Sequence, residues 1–361
     1  MNLKEFISLP QYSFSAAEKE TYMVRFLADL HYHHVEKSLE YNNFASVYGI
    51  KKSDFFHQID DFPFLPVSIF KNHTLKSIAE EEVFKVLTSS GTTGSVPSKI
   101  YLDKETAMFQ TYALSKIITH VIGTSRIPML IIDSKAVLKD RNSYSARGAG
   151  ILGLSIFGKD HHYLLDENYE LDITALEQFM AKYNGQKILI FGFTFMVWTY
   201  LFQQLKQNYD LSQAVLIHSG GWKKLQDMAV SSDTFKLRLK EKYGLKHSYN
   251  FYGMVEQVGS VFLENELGYL HCPNFADIII RNPVDFSVQP HGQEGFVQVV
   301  SALPKSYPGF SILTEDIGIC HGEDNPDISW KGKYFEILRR AKKAELRGCS
   351  DTFAAGKAGV L

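Results

Sequence analysis

The amino-acid sequence predicts an α/β protein with a mainly parallel β-sheet flanked by helices, followed by an antiparallel subdomain. Strand and helix patterns alternate between residues 128 and 243, which is typical of βαβ units. After Gly268 the pattern changes to short strands that are separated by Gly and Pro. The chain has 361 residues, of which 45% are hydrophobic, so it can bury a large core.

The N-terminal part is predicted to be helical. Ser15 and Glu18 have the spacing of a capping box, and apolar residues follow at helical spacing to about Leu39. Three histidines lie in this helix: His31, His33 and His34. We interpret them as surface or packing residues, because adjacent helix positions point in different directions and no acidic pair completes a metal site. Residues 60–70 are aromatic and twice interrupted by Pro, which favours an extended, buried connector.

The later elements are predicted in order along the chain. Asp103 can cap a helix that continues to about Val121. Buried strands are expected at 128–133, 187–191 and 214–218, helices at 172–183, 195–209 and 223–243, and short antiparallel strands at 276–280, 295–300 and 310–314. The Gly- and Ser-rich segment 141–158 is interpreted either as a mobile pocket wall or as a surface loop.

Charge and composition exclude several classes of protein. The net charge is −2, so the whole surface has no field suited to nucleic acid. The cysteines are Cys272, Cys320 and Cys349, an odd and sparse set that argues against a disulfide framework. Residues 1–20 lack the apolar core of a signal peptide, and no apolar stretch has the length of a membrane span. We therefore expect a cytoplasmic protein with no nucleic-acid partner and no membrane span.

Residues 88–99 form the most informative stretch, with the sequence TSSGTTGSVPSK. Gly91 and Gly94 allow positive φ and a close approach of the backbone to a ligand, and the hydroxyl groups add hydrogen-bond donors. Such a donor-rich backbone suits a polyphosphate, although it is not a Walker loop because no Gly-Lys-Ser/Thr ends it. The flanking runs 82–87 and 99–102 indicate that the loop joins two strands. A plain flexible loop is the alternative interpretation.

Two further stretches fall where open α/β sheets bind ligands, beyond the carboxyl ends of strands. In the first, Gly220 and Gly221 precede Trp222 and would let the backbone lie against a flat ligand. In the second, Tyr252 offers a ring for stacking, and Glu256 offers a carboxylate that suits Mg²⁺.

These stretches resemble, in the same order, motifs of the adenylate-forming superfamily, which includes acyl-CoA synthetases, luciferases and peptide-synthetase adenylation domains. The resemblance implies ATP and Mg²⁺ as cofactors. It implies phosphate contacts from the loop residues Ser89, Ser90, Gly91, Thr92, Thr93, Gly94 and Lys99. It implies adenine contacts from Gly220, Gly221 and Trp222, and it matches Tyr252, Gly253 and Glu256 to the Tyr-Gly-x-Thr-Glu motif, with Glu256 as the metal ligand.

Two later motifs extend the resemblance. Residues 314–318 resemble the Thr-Gly-Asp motif, which implies that Asp316 holds the two ribose hydroxyls. Residues 337–348 resemble the hinge motif, in which Arg340 matches the motif's Arg. The sequence departs from the superfamily at three positions: Ser98 precedes Lys99, Val255 replaces Thr, and Glu315 replaces Gly.

A narrower resemblance is to the LuxE-type acyl-protein synthetases, the long-chain-fatty-acid luciferin-component ligases. It depends on residues 64–71 (FLPVSIFK), on the loop SSGTTG, and on Cys349 after Gly348. It implies that a fatty acid is activated as an acyl-adenylate, with Glu256 and Lys99 in catalytic roles. It further implies that Cys349 accepts the acyl group as a thioester, and that a reductase or acyltransferase partner then takes it.

The resemblance also implies a division of the chain. Residues 1–336 are expected to form the adenylation domain, and residues 337–361 the hinge-like motif and a short tail that carries Cys349. The superfamily's large C-terminal domain is expected to be absent, because little sequence follows Gly348. Nearby basic residues would favour the thiolate of Cys349, while Cys272 and Cys320 are expected to be structural. Two alternatives stay open: an acyl-CoA ligase-like enzyme that uses free CoA, and a catalytically idle nucleotide-binding subunit.

Overall fold

The computed structural model of the protein describes residues 1–49, 55–89, 97–138, 146–222 and 229–341. The α-helices in these residues are α1 (Leu3–Ser8), α2 (Ala16–Lys37), α3 (Leu39–Val47), α4 (Ile69–Asn72), α5 (Lys104–Ile122), α6 (Ala146–Ser155), α7 (Ile173–Lys182), α8 (Thr194–Met196) and α9 (Ser232–Tyr243). A π-helical turn, Val197–Gln204, continues α8, and 3₁₀ turns occupy Ile59–Asp61, Glu80–Glu82, Lys135–Leu138 and Val255–Gln257. None of the helices in the described part is both long and apolar enough to cross a membrane.

The strands of the described residues form one large sheet and one hairpin. They are β1 (Leu65–Pro66), β2 (Lys85–Thr88), β3 (Lys99–Leu102), β4 (Ile127–Ser134), β5 (Gly158–Leu165), β6 (Leu189–Phe193), β7 (Val215–Ser219), β8 (His247–Tyr252), β9 (Phe262–Glu264), β10 (Leu270–His271), β11 (Ala276–Arg281), β12 (Glu294–Ser301), β13 (Ser311–Glu323) and β14 (Lys333–Arg340). The large sheet has the order β11-β12-β13-β14-β10-β9-β8-β7-β6-β4-β5, with β1 paired to β13, while β2 pairs with β3.

The sheet confirms the predicted α/β class. Strands β5, β4, β6, β7 and β8 are parallel, because helical crossovers connect most of them. Strands β9 to β14 pair with antiparallel neighbours, as the change of pattern after Gly268 indicates. The antiparallel strands continue the same sheet beyond β8, so they lie directly beside the carboxyl ends of the parallel strands.

The predicted N-terminal helix is confirmed. The Ser15 side chain accepts a hydrogen bond from the backbone N–H of Glu18, and the Glu18 carboxylate accepts one from the backbone N–H of Ser15, so both hydrogen bonds of the capping box are present. His31 and His34 are fully buried, in agreement with packing roles. His34 contacts the Ser77 hydroxyl through Nδ1 at 2.8 Å and the Pro304 carbonyl through Nε2 at 3.0 Å. Burial lowers the pKa of His34 to about 3, so its ring is neutral.

Three predicted segments differ from the structure. The helix predicted at 195–209 ends at Gln204, where the Lys242 ammonium group binds the last carbonyls, those of Phe202 and Leu205, at 2.6 Å. Segment 141–158 contains helix α6, because Ile151 and Leu154 pack into the core and outweigh the low helix propensity of glycine. The helix predicted at 223–243 begins only at Ser232, and its first six predicted positions lie outside the described residues.

Candidate active site

The candidate site begins at the carboxyl ends of the parallel neighbours β7 and β8. Ser219, the last residue of β7, lies opposite Phe251 in β8, so Gly220 and Tyr252 follow at the same edge of the sheet. Gly220 has a φ of 81°, and a Cβ there would lie 2.9 Å from the Phe193 ring. Only glycine fits this position, and its backbone lies against the ring of Phe193, the last residue of β6.

A half-buried hydrogen bond joins Tyr252 to Asp316. The Tyr252 hydroxyl donates to Oδ2 of Asp316 over 2.7 Å. Burial raises the pKa of the Asp316 carboxyl, and the hydrogen bond from Tyr252 and the charge of Arg340 partly offset this effect. Burial, followed by the charge of Asp316, raises the pKa of Tyr252. The phenol therefore stays protonated and acts as the donor, which leaves Oδ1 of Asp316 to accept from another group.

The backbone around Asp316 is also fixed. The N–H of Asp316 donates to Oγ1 of Thr314 over 3.1 Å, and the Thr314 hydroxyl in turn donates to the Val297 carbonyl over 2.7 Å. Thr314 thus ties the aspartate to the neighbouring strand β12. The hydrogen bond between Tyr252 and Asp316 was not predicted, because the two residues are 64 positions apart in the sequence.

The end of strand β14 lies beside this pair. Arg340 is opposite Asp316 in the β13–β14 register, and its guanidinium donates to Oε2 of Glu315 over 2.6 Å. The N–H of Ala341 donates to the Glu315 carbonyl over 2.8 Å. Strand β14 therefore ends opposite Asp316.

Glu256 lies in the 3₁₀ turn that follows β8, and its backbone is held from two sides. The Tyr307 hydroxyl donates to the Glu256 carbonyl over 2.8 Å. The Gln257 amide donates to the Val299 carbonyl over 3.1 Å and to the Gly309 carbonyl over 2.8 Å. These bonds fix the direction in which the Glu256 side chain leaves the turn. Neither Tyr307 nor Gln257 stands out in the sequence, since their partners are assigned only by the folded structure.

The electrostatic environment of Glu256 suits a cation. The residue is 5% exposed, and burial raises the pKa of its carboxyl. The neighbouring Ser98 hydroxyl and the positive charges of Lys71 and Arg340 partly offset this rise. In the described part of the chain, no cluster of three or more His, Cys, Asp or Glu side chains forms a metal cage. Mg²⁺ at Glu256 would therefore take its other ligands from phosphate oxygens and water, which is its usual preference.

The predicted phosphate loop joins two strands, as expected. Thr88 lies opposite Lys99 in the β2–β3 hairpin, and Lys99 is exposed at the start of β3. The N–H of Ser89 donates to the Ser98 carbonyl over 3.1 Å, and the N–H of Ser98 donates to the Ser89 hydroxyl over 2.8 Å. Ser98, a departure from the superfamily pattern, thus closes the loop beside Glu256. The loop residues Ser90, Gly91, Thr92, Thr93 and Gly94 lie outside the described residues, as does Cys349.

The remaining predicted residues lie around the same edge. Gly221 follows Gly220, and a Cβ on Gly221 would meet no atom within 4 Å. The ring of Trp222 lies 6.1 Å from that of Trp198 in an edge-to-face arrangement. Gly253 follows Tyr252 and packs against Val261. The structure thus brings together the residues after β7, those after β8, and the Asp316–Arg340 pair.

Comparison with solved structures identifies the fold. The chain resembles 2-hydroxyisobutyryl-CoA ligase in an open conformation with 2-HIB-AMP and CoA, with a TM-score of 0.67 and 16% identity, over 90% of this chain and 70% of that one. It also resembles the same ligase in its postadenylation state with 2-HIB-AMP, with a TM-score of 0.66 and 15% identity, over 91% and 69% of the two chains. The fold is that of the adenylate-forming enzymes.

Comparison of sequences then identifies the family. The family described as "Acyl-protein synthetase, LuxE" matches residues 5–356, so the chain belongs to this family of ligases. A long-chain-fatty-acid–luciferin-component ligase of Vibrio harveyi is 25% identical over 96% of this chain and 90% of its own length. The ligase of the same name from Aliivibrio fischeri is 24% identical over 97% and 92% of the two chains. The predicted resemblance is therefore confirmed at the level of the family.

Proposed function

We propose that this protein activates a long-chain fatty acid with ATP as an acyl-adenylate and then takes the acyl group onto Cys349 as a thioester. The observation that carries the proposal is the half-buried Tyr252–Asp316 pair, which lies between the carboxyl edge of the parallel strands and the end of β14. The fatty-acid substrate is proposed from the names of the relatives.

We infer the following binding mode for ATP from the described residues together with the loop sequence. The adenine ring lies between the Gly220–Gly221 backbone, Trp222 and Tyr252. The ribose binds Oδ1 of Asp316, since Oδ2 already accepts a hydrogen bond from Tyr252. The phosphates contact Ser89, Ser90, Gly91, Thr92, Thr93, Gly94, Lys99 and Arg340, and Gly253 lets the chain turn towards Glu256. Glu256 would hold Mg²⁺, which supplies positive charge to the phosphates when it is bound.

In the first step, a carboxylate oxygen of the fatty acid attacks the α-phosphorus of ATP. A new O–P bond forms, the bond to the bridging β-phosphate oxygen breaks, and pyrophosphate leaves with the electron pair. The chain's own residues act by position and charge: Asp316 orients the ribose, while Lys99 and Arg340 oppose the negative charge of the phosphates.

In the second step, the Cys349 thiolate attacks the acyl carbon, AMP leaves, and the acyl group remains on sulfur as a thioester. Cys349 follows Arg340 by nine residues, which can span at most about 30 Å when extended. Because β14 ends at Asp316, this tether is long enough to bring the thiol to the adenylate. We propose residues 1–336 as the adenylation domain and residues 337–361 as the acyl-carrying segment, which delivers the acyl group to a reductase or acyltransferase.

The other two cysteines are unsuited to this role. Cys272 and Cys320 are buried, and burial raises the pKa of both thiols, that of Cys320 to about 11. Each thiol is therefore protonated near neutral pH, and the reactive thiolate is scarce. This contrast supports the assignment of the acyl acceptor to Cys349.

The test separates the two steps. Wild-type protein, Cys349→Ser and Cys320→Ser are incubated with Mg²⁺, ATP and labelled fatty acid, and fatty-acid-dependent ATP–pyrophosphate exchange is measured in parallel. We expect exchange in all three proteins, but a hydroxylamine-labile label only where Cys349 is present, because a serine hydroxyl is a far poorer nucleophile than a thiolate. Label on added CoA alone would replace the proposal with a CoA ligase. Absence of exchange with every fatty acid would indicate a catalytically idle nucleotide-binding subunit.

A further inference from the structure

Lys71 lies at the edge of the candidate site, although it belongs to the N-terminal part of the chain. Strand β1 runs parallel to β13, with Pro66 opposite Leu313, and the N–H of Val67 donates to the Leu313 carbonyl over 2.9 Å. Leu313 is followed directly by the residues that lead to Asp316. This pairing places the short helix α4, which contains Lys71, beside the part of β13 that forms the site.

The residue before Lys71 fixes the position of α4. Phe70 is buried, and its ring contacts that of Tyr307 edge to face, with the ring centres 6.3 Å apart. The Tyr307 hydroxyl donates to the Glu256 carbonyl, so α4 lies one side chain away from the Glu256 turn. Because Phe70 points into the core, Lys71 points elsewhere on the helix and is only partly buried.

Lys71 is the cation of a helix that is held beside the Glu256 turn, because the preceding Phe70 packs on the Tyr307 ring and the Tyr307 hydroxyl binds the Glu256 carbonyl. Within the described residues, no ion pair involves Lys71, whereas Lys76, five residues later, pairs with Glu80. The partly buried ammonium group of Lys71 is thus left without a carboxylate partner in this part of the chain.

We propose that Lys71 is a further catalytic residue, whose ammonium group binds a non-bridging oxygen of the α-phosphate during attack by the fatty acid. The inference rests on the proposed function. The two reactants are both anions, and negative charge grows on the phosphoryl oxygens as the new O–P bond forms. Lys71 donates hydrogen bonds to these oxygens and gives up no proton, so its contribution is electrostatic. Glu256 would hold Mg²⁺, which would supply positive charge to the phosphates, and Lys71 approaches them from the α4 side.

The test compares Lys71→Met with Lys71→Arg and with the matched control Lys76→Met. Methionine keeps an apolar stem of similar length and removes only the charge. We expect Lys71→Met to lower the kcat of fatty-acid-dependent pyrophosphate exchange by about 10²–10³-fold, the usual effect of losing one stabilising donor. Lys71→Arg should recover part of this loss, and Lys76→Met should match the wild type. Thermal melting of each variant checks that the fold is retained.

Two outcomes would overturn the proposal: exchange by Lys71→Met within threefold of the wild type, or an equal loss in Lys76→Met. If the wild-type protein shows no exchange at all, the proposed function fails, and binding of ATP with Mg²⁺ by calorimetry then decides the role of Lys71. A rise in Kd of threefold or more in Lys71→Met alone would still support the phosphate contact. An unchanged Kd in that case would refute it.

Discussion

The substitution Tyr252→Phe tests the half-buried hydrogen bond between Tyr252 and Asp316. It removes only the hydroxyl that donates to Asp316 over 2.7 Å and leaves the ring that would stack on adenine. A hydrogen bond to a charged group contributes about 1.5–3 kcal/mol, which corresponds to a loss of about 10–150-fold in kcat/KM for ATP. The loss arises because Asp316 is no longer held in the orientation that accepts a ribose hydroxyl.

The same substitution should change the pH dependence in a defined direction. The hydrogen bond from Tyr252 lowers the pKa of Asp316, which burial raises. Without the hydroxyl the pKa rises further, so the acid limb of the pH–rate profile should move to higher pH. The assay is fatty-acid-dependent pyrophosphate exchange with ATP and with 2′-deoxy-ATP, and the preference for ATP should decrease in the variant.

Tyr183→Phe is the matched control. The Tyr183 hydroxyl also donates to a carboxylate, that of Asp160, but the pair lies at the surface and far from the site. Its removal should leave both exchange and the pH profile unchanged. If Tyr252→Phe retains kcat/KM within twofold of the wild type and its acid limb does not move, the role assigned to the Tyr252–Asp316 pair is wrong.

Two further predictions concern the Glu256 turn. Glu256→Gln should lower exchange by about 100-fold through loss of the proposed metal ligand. Because the pKa of Glu256 is raised, the folded protein binds this proton more tightly than the unfolded chain does. Wild-type stability relative to the variant should therefore fall as pH rises from the ordinary glutamate pKa through the raised pKa of the folded protein, and melting curves across pH test the sign. Gly309→Ala should cost about 1–3 kcal/mol in urea unfolding, because its Cβ would lie 2.2 Å from the Tyr307 ring, whereas Gly153→Ala meets no atom within 4 Å and should not destabilise the protein.

The sequence could predict the parts of the fold that depend on local pattern. The capping residues Ser15 and Asp103 begin the helices where expected, because the side chain that caps a helix lies within three residues of the N–H it binds. The loop at 88–99 could be placed between strands because both flanks alternate. The residues after β7 and β8 could be assigned to one edge, since carboxyl ends of parallel strands meet there.

The supporting residues of the site could not be predicted, because their partners are distant in sequence. Tyr307 binds the carbonyl of Glu256, 51 residues away, and no local pattern marks it.

Two elements of the fold were also missed from the sequence. Strand β5 has a polar sequence because it lies at the edge of the sheet, so it lacks the apolar run of a buried strand. Segment 141–158 was expected to be a loop because it is rich in glycine, but it contains helix α6. Contacts of this helix with the core outweigh the low helix propensity of its glycines.

The three departures from the superfamily motifs are compatible with nucleotide binding when they are considered by position. Ser98 does not disturb the hairpin, because its backbone N–H and its carbonyl both form hydrogen bonds with Ser89. Val255 lies in the turn whose direction is set by the hydrogen bonds of Tyr307 and Gln257, neither of which involves a hydroxyl at position 255.

Among the three departures, Glu315 changes the contacts of the site most, because its carboxylate forms an ion pair with Arg340. The two side chains are 27% and 67% exposed, and an ion pair at such a surface contributes about 0–1 kcal/mol. A triphosphate carries several negative charges, so it competes for the guanidinium with a greater attraction than a single carboxylate. Glu315 holds Arg340 beside Asp316, and the hydrogen bond from the Ala341 N–H to the Glu315 carbonyl pairs the end of β14 with β13 independently of the arginine side chain. Glu315, at the position of the motif's Gly, thus supplies a partner for Arg340 and does not occupy Oδ1 of Asp316, the oxygen that we propose as the ribose acceptor.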